Sequence, residues 1–323
     1  MDVLSSSPLM RPIAGMIALR RWAVASLVVN IVIVVTGALV RLTDSGLGCP
    51  TWPRCTESSY VTHPELGYHG AIEFGNRLLT FVLVIVAVGT WLAAMLHREH
   101  GRPRMDLLRL TTILALGIPA QAVIGGITVL TQLNPYVVAL HLLVSFVLIA
   151  LSVALVRRTR GLSPRLVSSR AAVLARAAFV LMWAAVWLGT VVTGSGPHAG
   201  DENAARNGLN SDLVAHLHAL AVYATVAATL GCVLLLRTRA AYGLLALEVA
   251  QAVIGFLQYY NGLPVWLVTL HLLGAALAIA LATNLLLSVR SLRSDALEQP
   301  LTSRGAVPAA TTAERHRLPD HAP

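Results

Sequence analysis

Eight apolar runs, each about 20 residues or longer, set the strongest constraint on how this 323-residue chain can fold. A helix of about 20 residues crosses the roughly 30 Å hydrocarbon layer of a bilayer. The composition, 56% hydrophobic and 12% charged, is unlike that of a soluble domain. The sequence therefore predicts an all-α integral membrane protein with eight transmembrane helices. They are expected at roughly 22–41, 70–96, 108–131, 137–156, 171–194, 212–236, 240–260 and 265–289.

The 24 basic residues are all arginine, and most of them flank the apolar runs on alternate sides. The connection 157–170 is rich in arginine, whereas 131–136 and 261–264 carry no charge. By the positive-inside rule, both termini and the even-numbered connections are cytoplasmic, and the odd-numbered connections face outward. The net charge of +9 is thus explained by topology in the cell membrane and not by nucleic-acid binding.

An internal repeat relates the two halves of the chain. Residues 121–151 align without gaps with 251–281 and are identical at 14 of 31 positions. Each half has an even number of spans, so the halves are expected to share one orientation, as pseudo-symmetric four-helix bundles about an axis along the membrane normal. The expected domains are a cytoplasmic N-terminal segment (1–20), an N-terminal four-helix bundle (21–157), a cytoplasmic arginine-rich linker (158–170), a C-terminal four-helix bundle (171–289) and a disordered cytoplasmic tail (290–323).

Histidines are concentrated toward the outward side. His141 and His271 occupy the same place in the repeat, about one turn inside the outer ends of their spans. An ionisable side chain in a bilayer is costly, so two equivalent histidines indicate a function. Span six adds His216 and His218, and residues two apart on a helix point about 200° apart, so only one of them can face the bundle centre. The sequence does not choose between them.

Two histidines on facing helices are a common way to hold a haem iron, whereas zinc takes three or four protein ligands close together. The N-terminal half differs, because span two carries Glu73, Asn76 and Arg77 where span six carries a histidine. Asparagine is a poor haem ligand. The pattern predicts one six-coordinate haem for electron transfer, and one five-coordinate haem held by His141 beside a reactive carboxylate.

Several motifs stand out along the chain. They are "TGALVRLTDSGLGCPTWPRC" (36–55), "EFGNR" (73–77), the repeated "QAVIG" with its histidines, "GTVVTGSGPHAGDENAARNGL" (189–209) and "LHAL" (217–220). With these motifs, the sequence resembles the haem A synthase family over nearly its whole length. That family consists of eight-span haem proteins that oxidise the C8 methyl of haem O to the formyl group of haem A for terminal oxidases. The resemblance implies an oxidoreductase acting on a CH or CH2/CH3 group, with the substrate haem in the N-terminal bundle, haem b in the C-terminal bundle, and both sites toward the extracytoplasmic side.

The resemblance also implies roles for individual residues. His271 and His218 would ligate haem b, with His216 as the alternative to His218. His141 would bind the iron of the substrate haem O, and Glu73 matches the acid considered essential for the oxidation. Asn76 departs from the family pattern, which has a second histidine there, and so two-histidine ligation of the N-terminal haem is in doubt. His69 lies on a different face of the helix from Asn76.

Four further residues have two interpretations each. Arg77 either binds a haem propionate or forms an ion pair with Glu73 one turn away. Arg41 is a second propionate candidate, or it extends to the membrane interface. Cys49 and Cys55 lie in an outward loop, where a disulfide can form. In the resembling family such cysteines are seen as a redox-active pair, and a structural disulfide is the alternative.

Two other functions compete with haem A synthesis. A non-catalytic di-haem b-type cytochrome that takes electrons from quinol would use His141 and His271, but it gives Glu73 no role. A transporter would have broken spans, and Pro119 is the main sign of one. The expected partners are haem O, the haem O synthase, an electron acceptor such as quinone, and membrane lipid, and a homo-oligomer is compatible with the sequence.

Overall fold

The computed structural model describes residues 10–99 and 101–292, with side chains from residue 15 onward. The first nine residues, residue 100 and the part of the expected tail from residue 293 on lie outside the described residues, whereas residues 290 and 291 of that tail belong to a short strand. Within the described residues, eight helices are long and apolar enough to cross a membrane, which confirms the expected all-α membrane fold. They are α1 (Met10–Leu42), α2 (Gly67–Leu96), α3 (Met105–Leu130), α4 (Pro135–Thr159), α5 (Ser169–Ser195), α6 (Ser211–Leu236), α7 (Arg239–Tyr260) and α8 (Val265–Leu287).

Two features of the helices differ from what hydropathy alone predicts. Helix α1 begins at Met10, before the expected apolar run, because its backbone hydrogen bonds continue beyond the apolar residues. Helix α3 continues through Pro119 without a break. The starts of α4 and α6 are fixed by side-chain caps: Asn134 accepts from the Tyr136 N–H, and Asn210 accepts from the Leu213 N–H.

Each half forms a ring of four helices. In the first half α1 packs on α2, α2 on α3, α3 on α4 and α4 on α1, and in the second half α5 to α8 pack in the same cyclic order. The halves meet where α8 packs on α1 and α4, and where α4 packs on α5. Phe146 and Ile149 of α4 are fully buried together with Ile279 of α8 in the core at this junction. Between helices in lipid, such close packing supplies much of the association energy.

The arginine-rich connections gather at one end of the bundle. Arg20 Nε donates to the Thr159 carbonyl at 2.8 Å, which joins the N-terminal third of α1 to the end of α4. The α2–α3 connection there forms the short hairpin β1 (Arg98–Glu99) and β2 (Arg102–Pro103). Strand β3 (Arg165–Val167) of the linker pairs in parallel with β4 (Val289–Ser291), directly after α8.

The four odd-numbered connections meet at the opposite end, called here the histidine-bearing end because His141, His218 and His271 lie near it. The Gly46 N–H donates to the Gly200 carbonyl at 2.8 Å across the two halves. Leu133 of the α3–α4 connection packs between these two glycines. His198 Nε2 lies 2.9 Å from the Leu263 carbonyl, and this contact joins the α5–α6 and α7–α8 connections. One end of the molecule is thus a continuous layer of loops over both rings.

Candidate functional site

His218 of α6 and His271 of α8 face each other inside the second ring. Their ring centroids are 6.4 Å apart, and the ring planes are inclined at 78°. Imidazole nitrogens bind divalent metals at about 2.0–2.1 Å, so the spacing leaves room for one metal centre between the rings. The two histidines expected to act together are therefore brought together by the fold.

The His218 ring is held in one tautomer. Its Nδ1 lies 2.8 Å from the Ala185 carbonyl of α5, and a carbonyl only accepts, so the ring donates from Nδ1. The Nε2 atom then carries the lone pair, which is the state of a metal-binding histidine. Gly189 makes this approach possible, since a Cβ there would lie 3.4 Å from His218 Cε1.

His271 carries a buried nitrogen without a partner. Its Nδ1 has no hydrogen bond among the described residues, and buried polar atoms in that state are uncommon. The ring packs beside Gly255 of α7, where a Cβ would lie 3.6 Å from His271 Cε1. A polar atom left unpaired here fits a site that is completed by a bound group.

A cavity of about 330 Å³ adjoins both rings. Its size is within the range of ligand pockets, roughly 300–1,000 Å³. Its walls are mostly apolar, and they include Met182 of α5, Val222 of α6 and Ala275 of α8. Such walls suit a flat hydrophobic macrocycle. His216 also borders the cavity, but its ring is exposed, and its Nδ1 lies 2.6 Å from the Asp212 carbonyl of its own helix.

His141 has a similar setting in the first ring. Its Nδ1 is buried and unpaired among the described residues, and a Cβ on Gly125 of α3 would lie 3.2 Å from its Cε1. Gln121 Nε2 donates to the His141 carbonyl at 3.0 Å and also contacts the Ser145 hydroxyl. Gln121 therefore ties α3 to the turn of α4 that presents His141.

Glu73 is 5% exposed and has partners on both carboxylate oxygens. Its Oε2 accepts from the Cys49 N–H at 2.5 Å, and its Oε1 accepts from Arg77 Nε at 3.1 Å and from Nη2 at 2.6 Å. The expected ion pair is present, and it is part of a larger contact. The carboxylate is bound directly to the first connecting loop.

Arg77 fastens that loop to α2. Its Nη2 donates to the carbonyls of Cys49 and Thr51 at 3.1 and 3.0 Å, and its Nη1 donates to the Arg54 carbonyl at 3.1 Å. Cys49 and Cys55 form the expected disulfide within the same loop, with both cysteines buried. The guanidinium is thus occupied by Glu73 and by three carbonyls of this small covalent ring.

Trp52 joins the disulfide loop to α3 by a packing contact. A Cβ on Gly126 would lie 2.4 Å from the Trp52 ring, so the indole packs directly on the Gly126 backbone. The preceding residue, Gly125, is the one that contacts His141. The disulfide loop therefore links Glu73 on α2 to the part of α3 that supports the His141 ring.

Asn76 and His69 both have polar partners on nearby elements. Asn76 Oδ1 accepts from the Thr36 hydroxyl of α1 at 2.8 Å. His69 Nδ1 lies 3.0 Å from the Ser45 hydroxyl. Among the described residues, no group of three or more histidine, cysteine, aspartate or glutamate side chains has the geometry of a metal site.

Arg41 joins the two halves at the histidine-bearing end. Its Nε donates to the His198 carbonyl at 2.8 Å, and its Nη2 donates to the Thr193 carbonyl at 3.2 Å. These contacts hold the end of α1 against the α5–α6 connection. A propionate contact for Arg41 remains a prediction, and so does one for Arg77.

One cavity-lining acid, Glu248 of α7, is not among the site residues expected from the sequence. It is 4% exposed and borders the same cavity as His218 and His271. The sequence carries a signal for it, because it is an acid in the middle of an apolar run.

Comparison with known proteins places these sites in a family. The Heme A synthase of Geobacillus thermodenitrificans is 34% identical over 116 residues, which are 36% of this chain and 34% of that protein. The one from Lysinibacillus sphaericus is 34% identical over 144 residues, 43% and 45% of the two chains, and the one from Shewanella oneidensis is 29% identical over 187 residues, 52% and 53%. The chain thus matches about a third to a half of the length of these curated relatives.

A much longer match comes from a family model. The model of the cytochrome oxidase assembly protein family (COX15-CtaA) matches residues 20–283, a range that includes α2 to α7, most of α1 and α8, and all the histidines described above. This chain therefore belongs to the cytochrome oxidase assembly protein family.

Proposed function

We propose that this chain is a haem A synthase, a membrane oxidoreductase that converts the C8 methyl group of haem O to a formyl group. The observation that carries the proposal is the facing pair His218 and His271 beside an apolar cavity, in a chain whose relatives are named Heme A synthase. The haem sites would lie on the outward side of the cell membrane.

The second ring supplies a resident haem b site in this proposal. His218 offers Nε2 as a ligand because its Nδ1 is committed to the Ala185 carbonyl, and His271 faces it across the gap. We assign the ligand role to His218 and not to His216, whose ring is exposed. When bound between two imidazoles, haem b supplies one-electron transfer.

The first ring would receive the substrate haem O. His141 would bind the iron of the substrate from one side, since its ring is fixed against Gly125 by close helix packing. Asn76 of α2 accepts a hydrogen bond from Thr36. At this position α2 therefore carries an amide and not a second imidazole. The substrate iron would therefore have one protein ligand.

Glu73 would accept protons released as the methyl group is oxidised. A positioned carboxylate can take a proton or stabilise a developing positive charge. The Cys49 N–H and the Arg77 guanidinium hold the Glu73 carboxylate in one orientation, and Trp52 fixes the loop against α3. Arg77 thus has a positioning role in this proposal, and its contacts favour that role over propionate binding.

Pigment analysis of the purified full-length protein, produced together with a haem O supply, tests the proposal. We expect haem b together with haem O and haem A in the extract. Haem b alone, in an amount that fills two sites, would contradict haem A synthesis and favour a di-haem electron-transfer cytochrome.

A further inference from the structure

Glu248 is a carboxyl group buried near the middle of α7. Its side chain is 4% exposed, and its Oε1 accepts from the Thr229 hydroxyl of α6 at 2.9 Å. Its Oε2 is buried and has no hydrogen-bond partner among the described residues. Acids inside membrane spans are costly, and those that occur usually serve protons, ions or ligands. The unpaired oxygen therefore indicates a function for Glu248.

The repeat provides an internal comparison for this position. Gln121 and Gln251 are equivalent, and the same offset relates Ile118 to Glu248. Ile118 is also 4% exposed, so the first ring buries an apolar side chain where the second ring buries an acid. Helix packing alone does not require a carboxyl group here.

Glu248 lies on the face of α7 that borders the cavity. Residues 248, 251 and 255 follow the spacing of one face, and all three border the cavity next to His218 and His271. Gly255 contacts the His271 ring near the histidine-bearing end, and Glu248 lies about two turns deeper. The acid and the two histidines thus belong to one cavity.

Among the residues that the structure describes, no arginine lies within ion-pair distance of Glu248. Cys232 of α6 lies close enough to Glu248 to interact with it electrostatically. The other titratable groups that line the cavity are His216, His218 and Tyr223 on α6, Tyr259 and Tyr260 on α7, and His271 on α8. None of these is a permanent cation. When Glu248 is ionised, a compensating positive charge would therefore have to come from the group that occupies the cavity, and when it is protonated none is needed.

We propose that Glu248 is a redox-linked proton site, whose carboxylate takes up one proton when the haem between His218 and His271 takes up one electron. This inference rests on the proposed function. A ferric haem core carries one positive charge that can balance the Glu248 carboxylate, and reduction removes that charge. An unbalanced charge is unfavourable in a medium of low dielectric constant, so proton uptake follows.

The step balances in charge and in atoms. A haem held by His218 and His271 would take one electron from a one-electron donor on reduction and would lose one positive charge. Glu248 gains one proton from water, and an O–H bond forms at a carboxylate oxygen. The net charge of the cavity is unchanged, and reoxidation releases both the electron and the proton.

Redox titration of the full-length haem-loaded protein in nanodiscs, with dithionite as the electron donor at a series of pH values, tests the inference. In the wild type, the midpoint potential of the low-spin haem should fall as pH rises, toward the limit of about 59 mV for a tenfold change in proton activity. The dependence should be lost in Glu248→Gln. It should persist in Glu202→Gln, a matched change of an exposed acid in the α5–α6 connection.

A pH-independent potential in the wild type, or the same pH dependence in Glu248→Gln, would overturn the inference and leave the proposed function standing. If Glu248→Gln does not fold, the infrared redox-difference spectrum of the wild type decides. A carboxylic acid band that appears on reduction and shifts in D2O supports the inference, and the lack of such a band overturns it. A wild-type protein without a two-histidine haem spectrum would instead overturn the proposed function, and this inference with it.

Discussion

Arg77 Nη2 lies 2.6 Å from Glu73 Oε1, one helical turn away, and the same nitrogen donates to the carbonyls of Cys49 and Thr51. One guanidinium therefore fixes both the acid and the disulfide loop. A planar group with five N–H donors can make such divergent contacts, whereas an ammonium group cannot make them in the same geometry.

Arg77→Lys should destabilise the protein although it keeps the charge. Lysine can still pair with Glu73, but it loses hydrogen bonds to the loop carbonyls. A hydrogen bond from a charged donor contributes about 1.5–3 kcal/mol, so we expect the free energy of unfolding to fall by about that amount. The measurement is the thermal unfolding midpoint of the purified protein. Arg104→Lys alters an exposed pair with Asp106 and should cost less than about 1 kcal/mol. Equal losses in the two variants would contradict a fastening role for Arg77.

Glu73→Gln should abolish product formation without disturbing the second ring. The amide keeps the shape of the side chain but accepts protons poorly, so we expect haem A output to fall by about 10²–10⁴-fold. The low-spin haem spectrum should be retained. Glu65→Gln, which changes an exposed acid in the α1–α2 connection, should leave output unchanged. Undiminished haem A from Glu73→Gln would remove this acid from the mechanism.

His218→Ala and His216→Ala should have different effects on the low-spin haem spectrum, although only one residue separates the two histidines. The first change removes the ring that faces His271, and the low-spin haem signal should disappear or change to a one-histidine spectrum. The second removes an exposed ring, and the signal should stay. Absorption and electron paramagnetic resonance spectra of the two variants make the comparison. The reverse pattern would assign the ligand to His216.

Gly126→Ala should displace Trp52 from α3. The added Cβ would meet the indole at 2.4 Å, and relieving such overlap costs about 1–3 kcal/mol. Tryptophan fluorescence and thermal unfolding report the change. In Gly75→Ala the added Cβ meets nothing within 4 Å, so that variant should match the wild type or exceed it slightly in stability. An unperturbed Gly126→Ala protein would show that the loop does not depend on this contact.

The helices were predictable because a bilayer requires apolar runs of a certain length and favours arginine at their cytoplasmic ends. The pairing of His218 with His271 was partly predictable: the repeat and the helical period narrowed the choice to His216 or His218. The choice itself depends on the rotation of α6, which is set by contacts such as that of His218 with the Ala185 carbonyl.

The surroundings of Glu73 were not predictable to the same degree. Its ion pair with Arg77 follows from helical spacing, but its bond to the Cys49 N–H depends on the path of a loop that returns over 24 residues. The Trp52–Gly126 contact is likewise long-range. Neither contact leaves a periodic pattern in the sequence, so spacing arguments cannot reveal it.

The parallel pairing of β3 with β4 bears on how a chain of this kind can evolve. These strands lie directly before α5 and directly after α8, so the entry and exit of the second ring run side by side, about 4.8 Å apart. A unit whose two ends adjoin can be copied or spliced within a gene without stretching the remaining protein. One tandem duplication event would then suffice to produce both rings, and each copy would be free to acquire its own chemistry.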